Sequence, residues 1–317
     1  MTNPIVKALE HGAQKLGKAL GEDAGKAVKD FYHSTGKNLK KVADNTVEID
    51  KKHAEDFHRI HRCEPSRDEL RGQLGDRPVY LLGDRGKIQR LTGKGPADLT
   101  DADRDLLGVP LKLNGANKDT VPRRPKNPNN PYAWGASTNE ERASRARKHS
   151  TEVPFHEDDL SRATALARHE QGSYGNYTPH KLTGEPVFSS NNYAAMRVRY
   201  DQEGGEREFI MVGRSNNPIH SEKVLGIPFL ENGSGHHVKD LYTERAPCSN
   251  SSDCSAWVQK WMPHTNVTHS IEYGPSLESV EHGNREIEDR LNRIYPGERP
   301  EERSPWTNFQ GLHNNEH

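Results

Sequence analysis

Residues 193–200 and 207–213 flank Gln202-Glu203-Gly204-Gly205, and this pair constrains the fold more than any other stretch of the chain. Two strands joined by a glycine-containing turn make a tight antiparallel hairpin. Met196, Val198 and Tyr200 recur at every second position and share one face of the first strand. Residues 209–212, Phe-Ile-Met-Val, are apolar without a break, the pattern of a strand buried on both faces. The hairpin therefore starts a core. Around it the spacing predicts helices over 158–169, 219–225 and 254–261, strands around 238–243 and 267–273, and a charged helix over 279–295. Such alternation reads as an α/β fold.

The rest of the chain is too polar to extend that core over all 317 residues, since only 31% are hydrophobic and 29% are charged. One compact unit with extensions is the expectation, in four parts. Residues 1–60 form a helical N-terminal extension, with Leu16, Leu20, Ala24 and Phe31 at helical steps weakened by interspersed glycines. Residues 61–150 hold a small hairpin over 77–91, a short helix over 101–107 capped by Thr100, and a basic Pro/Asn-rich linker. In that linker Arg123, Arg124, Lys126, Arg142, Arg145, Arg147 and Lys148 surround Tyr132 and Trp134, which suits phosphate contact and base stacking or simply a solvated segment. Residues 151–297 are the compact domain and 298–317 a flexible tail. The net charge of −1 makes the whole molecule no magnet for nucleic acid or membrane, so any such attraction is local. No apolar run is long enough to insert in a membrane or to act as a secretory signal, and a soluble cytoplasmic product is expected.

Of the three cysteines, Cys63, Cys248 and Cys254, two lie close in sequence, and three cannot make an even disulfide framework. Cys248 and Cys254, the close pair, supply with His220 three zinc ligands, the count of a catalytic site whose fourth position is left to water. Two thiolates and an imidazole suit zinc, which lowers the pKa of a bound water toward neutrality. Glu222, two residues on, would then be the proton shuttle and not a ligand. Pro218 is tolerated in a first helical turn, so His220 and Glu222 fall at a helix N-terminus, where the dipole favours negative charge. Cysteines six apart are out of phase on one helix. Residues 249–253 are therefore a loop, with Ser252 or Asp253 capping a helix that begins near Cys254. A Cys248–Cys254 disulfide is one alternative. A structural zinc site is another, and would need a fourth ligand from His236, His237, His264 or His269; such a site has no use for Glu222.

The order H-x-E, then P-C, then a second Cys resembles the zinc-dependent cytidine-deaminase-like superfamily. Three further segments narrow the resemblance: Gln171-Gly172-Ser173-Tyr174-Gly175-Asn176-Tyr177, Asn192-Tyr193-Ala194-Ala195 and Tyr242-Thr243-Glu244-Arg245-Ala246-Pro247-Cys248. They look like the nucleic-acid deaminase domains of bacterial polymorphic toxins of the Xanthomonas/Streptomyces type, over about 155–297. The resemblance implies a three-layer α/β/α sandwich with a mixed sheet, hydrolytic removal of an exocyclic amine with Zn2+ as cofactor, and a cognate immunity protein as partner. It also implies a substrate contact from an asparagine ahead of His220, either Asn216 or Asn217. Tyr242 and Trp257 could stack on a target base or belong to the core. The function expected is a zinc-dependent deaminase of a nucleic-acid base, DNA or RNA, with cytosine favoured. It would be a monomeric toxin domain, exported to act in a target-cell cytoplasm. The alternatives are a free nucleoside or nucleotide deaminase and a non-catalytic zinc-fold interaction module. Two features depart from the family pattern: five residues separate Cys248 from Cys254 where two to four are usual, and no fifth strand is evident after Tyr273.

Overall fold

The computed structural model describes residues 11, 12, 14, 15, 18, 21, 26, 64–114, 119–122, 132, 138–179, 184, 186–216, 219–249, 252–274 and 276–294. The chain divides into two units, Met1–Cys63 and Glu64–His317. In the first, the described residues between His11 and Lys26 are helical and exposed. The rest of the helix expected over 1–60, the tail 298–317, Cys63, Trp134, Asn217 and Pro218 lie outside the described residues.

The second unit begins with α1 (Arg67–Leu74), β1 (Val79–Leu82), β2 (Ile88–Leu91), β3 (Pro96–Ala97), α2 (Asp101–Gly108), α3 (Asn139–Ala143), β4 (Thr151–Glu152) and α4 (Asp159–Gln171). It continues with β5 (Asn176–Pro179), β6 (Pro186–Ser189), β7 (Tyr193–Gln202), β8 (Gly205–Arg214), α5 (Ser221–Glu231), β9 (Val238–Arg245), α6 (Cys254–Trp261), β10 (Asn266–Ile271) and α7 (Leu277–Ile294). Local chemistry sets several of the boundaries. Asp158 and Ser161 form a capping box that opens α4, and Gly172 in the left-handed conformation (φ 57°) stops it. Thr100 and Asp103 do the same for the start of α2.

β7 and β8 pair antiparallel from Tyr193↔Arg214 to Gln202↔Gly205. They sit inside an eight-stranded mixed sheet of order β3-β2-β1-β8-β7-β9-β10-β4. β1 is parallel to β8, β9 antiparallel to β7, and β10 parallel to both β9 and β4. It follows that β8, β9 and β10 all end at one edge of the sheet, where β7 begins. Met196, Val198, Phe209 and Met211 share a core with Leu107 of α2, Leu225 and Phe229 of α5 and Trp257 of α6. Tyr193, Ala195, Ile210 and Val212 share the opposite core with Leu70 and Leu74 of α1 and Leu160 and Leu166 of α4. The unbroken run 209–212 is thus divided between two covered faces, and the architecture is the three-layer α/β/α sandwich.

Three features differ in detail from the sequence expectation. The hairpin in 61–150 belongs to the same sheet, because β1 pairs with β8 from Val79↔Ile210 to Leu82↔Gly213. Among the described residues no strand follows β10; the place beside it is taken by the two residues of β4, from upstream. The helix expected to end at Leu225 continues to Glu231 through Gly226 and Pro228. Burial carries it past those breakers, since a Cβ at Gly226 would lie 2.7 Å from the Trp257 ring. Glycine there lets α5 seat directly on α6.

Candidate active site

The carboxyl ends of β8 and β9 deliver the candidate ligands, the place where open α/β sheets bind ligands. Beyond β8, Asn216 and Ile219 bond to each other through their backbones in a tight turn. That turn sets His220 at the N-cap position of α5 (φ −76°, ψ 155°) with no capping bond from its side chain. Beyond β9, the Ala246 N–H donates to the Ile271 carbonyl at 2.8 Å, and Cys248 follows two residues later. Asp253, in the left-handed region at φ 45°, turns the chain into α6, whose first residue is Cys254. One ligand atom each from His220, Cys248 and Cys254 lies within 4.8 Å of the others, and among the described residues this is the one such group. His220 Nδ1 is 3.4 Å from Cys248 Sγ. Both cysteines are buried, at 4% and 0% exposure, and are free thiols, so the disulfide alternative is not the arrangement found.

The donor set fits zinc. Tetrahedral bonds of about 2.3 Å to sulfur and 2.0–2.1 Å to nitrogen space the ligand atoms roughly 3.5–3.8 Å apart, a modest contraction of the observed cluster. Hydrogen bonding from Cys254 and then His220 draws the Cys248 thiol well below the ordinary cysteine value, against the effect of burial. Burial and that same bond push Cys254 up, and the bond to Cys248 raises His220. A thiolate at Cys248 is therefore already favoured, as a metal ligand must be. His236, His237, His264 and His269 do not join the group.

Glu222 is the second residue of α5 and is 2% exposed. Burial raises its carboxyl above the usual range, and the neighbouring Cys248 adds to this. The Ser221 hydroxyl donates to Glu222 Oε2 at 3.2 Å. Asn192 Nδ2 in turn donates to Ser221 Oγ at 3.0 Å and to Thr243 Oγ1 at 2.6 Å, while its Oδ1 accepts from the Arg245 N–H at 3.0 Å. Asn192 thus joins the end of β9 to the start of α5. The sequence showed it only as part of a motif; its place just before a strand that starts at the site edge was the available signal. Lys223 Nζ donates to the Ser252 carbonyl at 2.6 Å, and Ser252 Oγ is 3.1 Å from His220 Nε2. These contacts tie the loop between the cysteines to α5.

The upstream basic segment meets the site from outside. Arg145 Nη1 lies 3.1 Å from Asp253 Oδ2 and Arg147 Nε 3.6 Å from Asp253 Oδ1, with the aspartate side chain fully buried. The Lys148 N–H donates to the Ser255 carbonyl and the Ser255 hydroxyl to the Lys148 carbonyl. Two of the basic residues expected to suit phosphate therefore pair with Asp253, which holds the N-cap position of α6 without capping it through its side chain.

Two substrate assignments are corrected. Tyr242 is fully buried on the α1/α4 face, with its hydroxyl 2.8 Å from Ser270 Oγ. Trp257 is fully buried on the other face, and its Nε1–H donates to the Tyr132 carbonyl at 2.8 Å. Neither ring can stack on a base; a large aromatic on a central strand or an inner helix face fills the core. Asn216 is half-buried in the turn just before His220, and Asn217 lies outside the described residues.

Residues 189–290 match the family model described as Xanthomonas-like deaminase. That stretch contains His220, Glu222, Cys248 and Cys254, and the match supports a deaminase domain there. No curated protein and no solved structure matches the chain. No helix among the described residues is long and apolar enough to cross a membrane.

Proposed function

We propose that the chain is a zinc-dependent hydrolytic deaminase of a nucleic-acid base, with cytosine favoured and uracil the product. The observation that carries this reading is the convergence of His220, Cys248 and Cys254 beside the buried Glu222 at the starts of two helices. When bound, zinc supplies a water activated for attack on the amine-bearing carbon. Glu222 moves the protons: its carboxylate takes one from the water and delivers it to the ring nitrogen, then passes a second to the departing amine. One water is consumed, one C–N bond breaks and one ammonia leaves. Burial, which raises this carboxyl above the usual range, makes it readier to hold a proton between the two transfers than an exposed carboxylate would be. Ser221, held by Asn192, fixes the carboxylate oxygen that does not carry the proton.

The polymer substrate is supported by the motif resemblance over 171–177, 192–195 and 242–248; the matching family model supports the deaminase reading alone. On the same resemblance we propose a role as the toxin domain of a bacterial antibacterial effector, acting as a monomer in the target-cell cytoplasm, with an immunity protein as its partner in the producer. Sequencing DNA and RNA from cells expressing the wild type or Glu222→Ala tests the reading. The wild type should accumulate C-to-T changes in DNA or C-to-U changes in RNA, and the variant none. Equal changes in both would remove Glu222 from the mechanism. Unchanged polymers together with deamination of a free nucleoside would favour the metabolic alternative.

A further inference from the structure

A cleft of about 290 Å³ opens between the loop that follows α4, residues 171–176, and the segment 189–191 that precedes β7, with Arg214 of β8 closing one side. Gln171, Ser173, Asn176, Ser190 and Asn191 line it with amides and hydroxyls, and no carboxylate is among the lining residues. Its two walls are pinned from below by one fully buried side chain. Arg168 donates from Nη1 to the Ser173 carbonyl and from Nη2 to the Asn191 carbonyl, each at 2.7 Å, while its Nε donates to Glu244 Oε1 at 2.6 Å. Arg245 Nη2 donates to Ser190 Oγ at 3.3 Å. Around the cleft three guanidinium groups, on Arg168, Arg245 and Arg214, stand against two carboxylates, Glu244 and the Asp84 that pairs with Arg214. The loop is also shaped closely: at Gly175 (φ 84°) a Cβ would lie 2.3 Å from the Phe188 ring.

The cleft and the candidate metal centre are joined through the 189–191 wall and through the Arg214 side. Asn191 leads directly into Asn192, which bonds to Ser221 and through it to Glu222. Arg214 leads into Ser215, whose Oγ accepts from the Ser221 N–H at 3.2 Å.

We infer that this cleft holds the sugar-phosphate of a nucleotide adjoining the target base, so that a nucleic-acid strand crosses the sheet edge from the α5 side to the α4 side. The inference rests on the proposed function. A phosphodiester accepts hydrogen bonds and donates none, and the cleft offers amide and hydroxyl donors and the Arg214 guanidinium, with no carboxylate in its lining to repel it. Backbone contacts of this kind set position and register and do not read sequence.

The test uses the full chain, with Glu222→Gln to stop turnover and zinc bound. Fluorescence anisotropy follows binding of labelled single-stranded DNA and RNA of about 15 nucleotides. Ser189→Glu with Asn191→Asp places negative charge at two exposed positions of the cleft. This pair should weaken binding about tenfold or more and reduce the salt dependence by about one phosphate contact. Gln202→Glu, at the far turn of the β7–β8 hairpin, should leave affinity within about twofold. Asn191→Lys should tighten binding, a change that misfolding cannot produce. Cleft variants that bind like Gln202→Glu would overturn the inference. If the wild-type chain, with Glu222 intact, still deaminates the oligonucleotides in that case, the deaminase reading stands and the cleft alone is removed. A wild-type chain that neither binds nor deaminates either polymer, yet deaminates a free nucleoside, would remove the polymer reading and the cleft with it.

Discussion

Two glutamates buried at the same edge of the sheet carry opposite electrostatics. Glu222 is driven up by burial and by Cys248. Burial acts on Glu244 in the same direction, but Arg168, bonded to both of its oxygens, and Arg290 hold it below the ordinary carboxylate range. One carboxyl is therefore the readier to carry a proton and the other to stay charged, which is consistent with the role proposed for Glu222. Glu244→Gln should destabilise the full chain by about 3–5 kcal/mol in urea unfolding at neutral pH, because it leaves the Arg168 guanidinium buried without its counter-charge. The sign with pH follows from the lowered value. The stabilising contribution of Glu244 is present above its unfolded-state pKa and is lost as pH falls through its depressed folded value, so the difference between wild type and variant should shrink in acid. Equal stability at neutral pH would contradict this.

At the scale of elements, the candidate centre depends on how loops are held as much as on the ligands. Asp253 turns the chain into Cys254 from a left-handed conformation, and Arg145 and Arg147 neutralise its buried carboxylate. Replacing both arginines with alanine should weaken zinc binding about tenfold or more in competition with a chelator, with helix content unchanged, as loss of outer-shell support does at other metal sites. Unchanged affinity would show the segment to be incidental. This strap could not be read from sequence, because a basic, Pro/Asn-rich stretch looks the same whether it is solvated or pinned. The β7–β8 hairpin, α4 and α6 were legible, since alternation, capping and helical spacing are local signals. α5 was legible only to Leu225: Gly226 and Pro228 are interior helix breakers by propensity, and the glycine is required there by its close packing on Trp257. Tyr242 and Trp257 are apolar enough for either a site or a core, and only the sheet's covered faces decide between them.

For the whole molecule, the stretch 189–290 that matches a deaminase family supplies β7 to β10, α5, α6 and much of α7, but not a closed fold. The layer over Tyr193, Ala195, Ile210, Val212 and Tyr242 comes from α1 and α4, and β1 to β3 extend the sheet beyond β8. Residues 64–188 thus complete the sandwich and also build one wall of the cleft. The near-neutral net charge leaves any attraction for a polyanion to local groups, as the proposed cleft requires. Everything proposed for this edge depends on His220, Cys248 and Cys254 forming one metal centre. Elemental analysis of the purified full chain measures that directly. The account predicts about one zinc per chain in the wild type and in Glu222→Gln, and less than about a tenth of that in Cys248→Ala. A wild-type chain that holds no zinc and still converts bases, or a Cys248→Ala chain that keeps its full zinc, would contradict it.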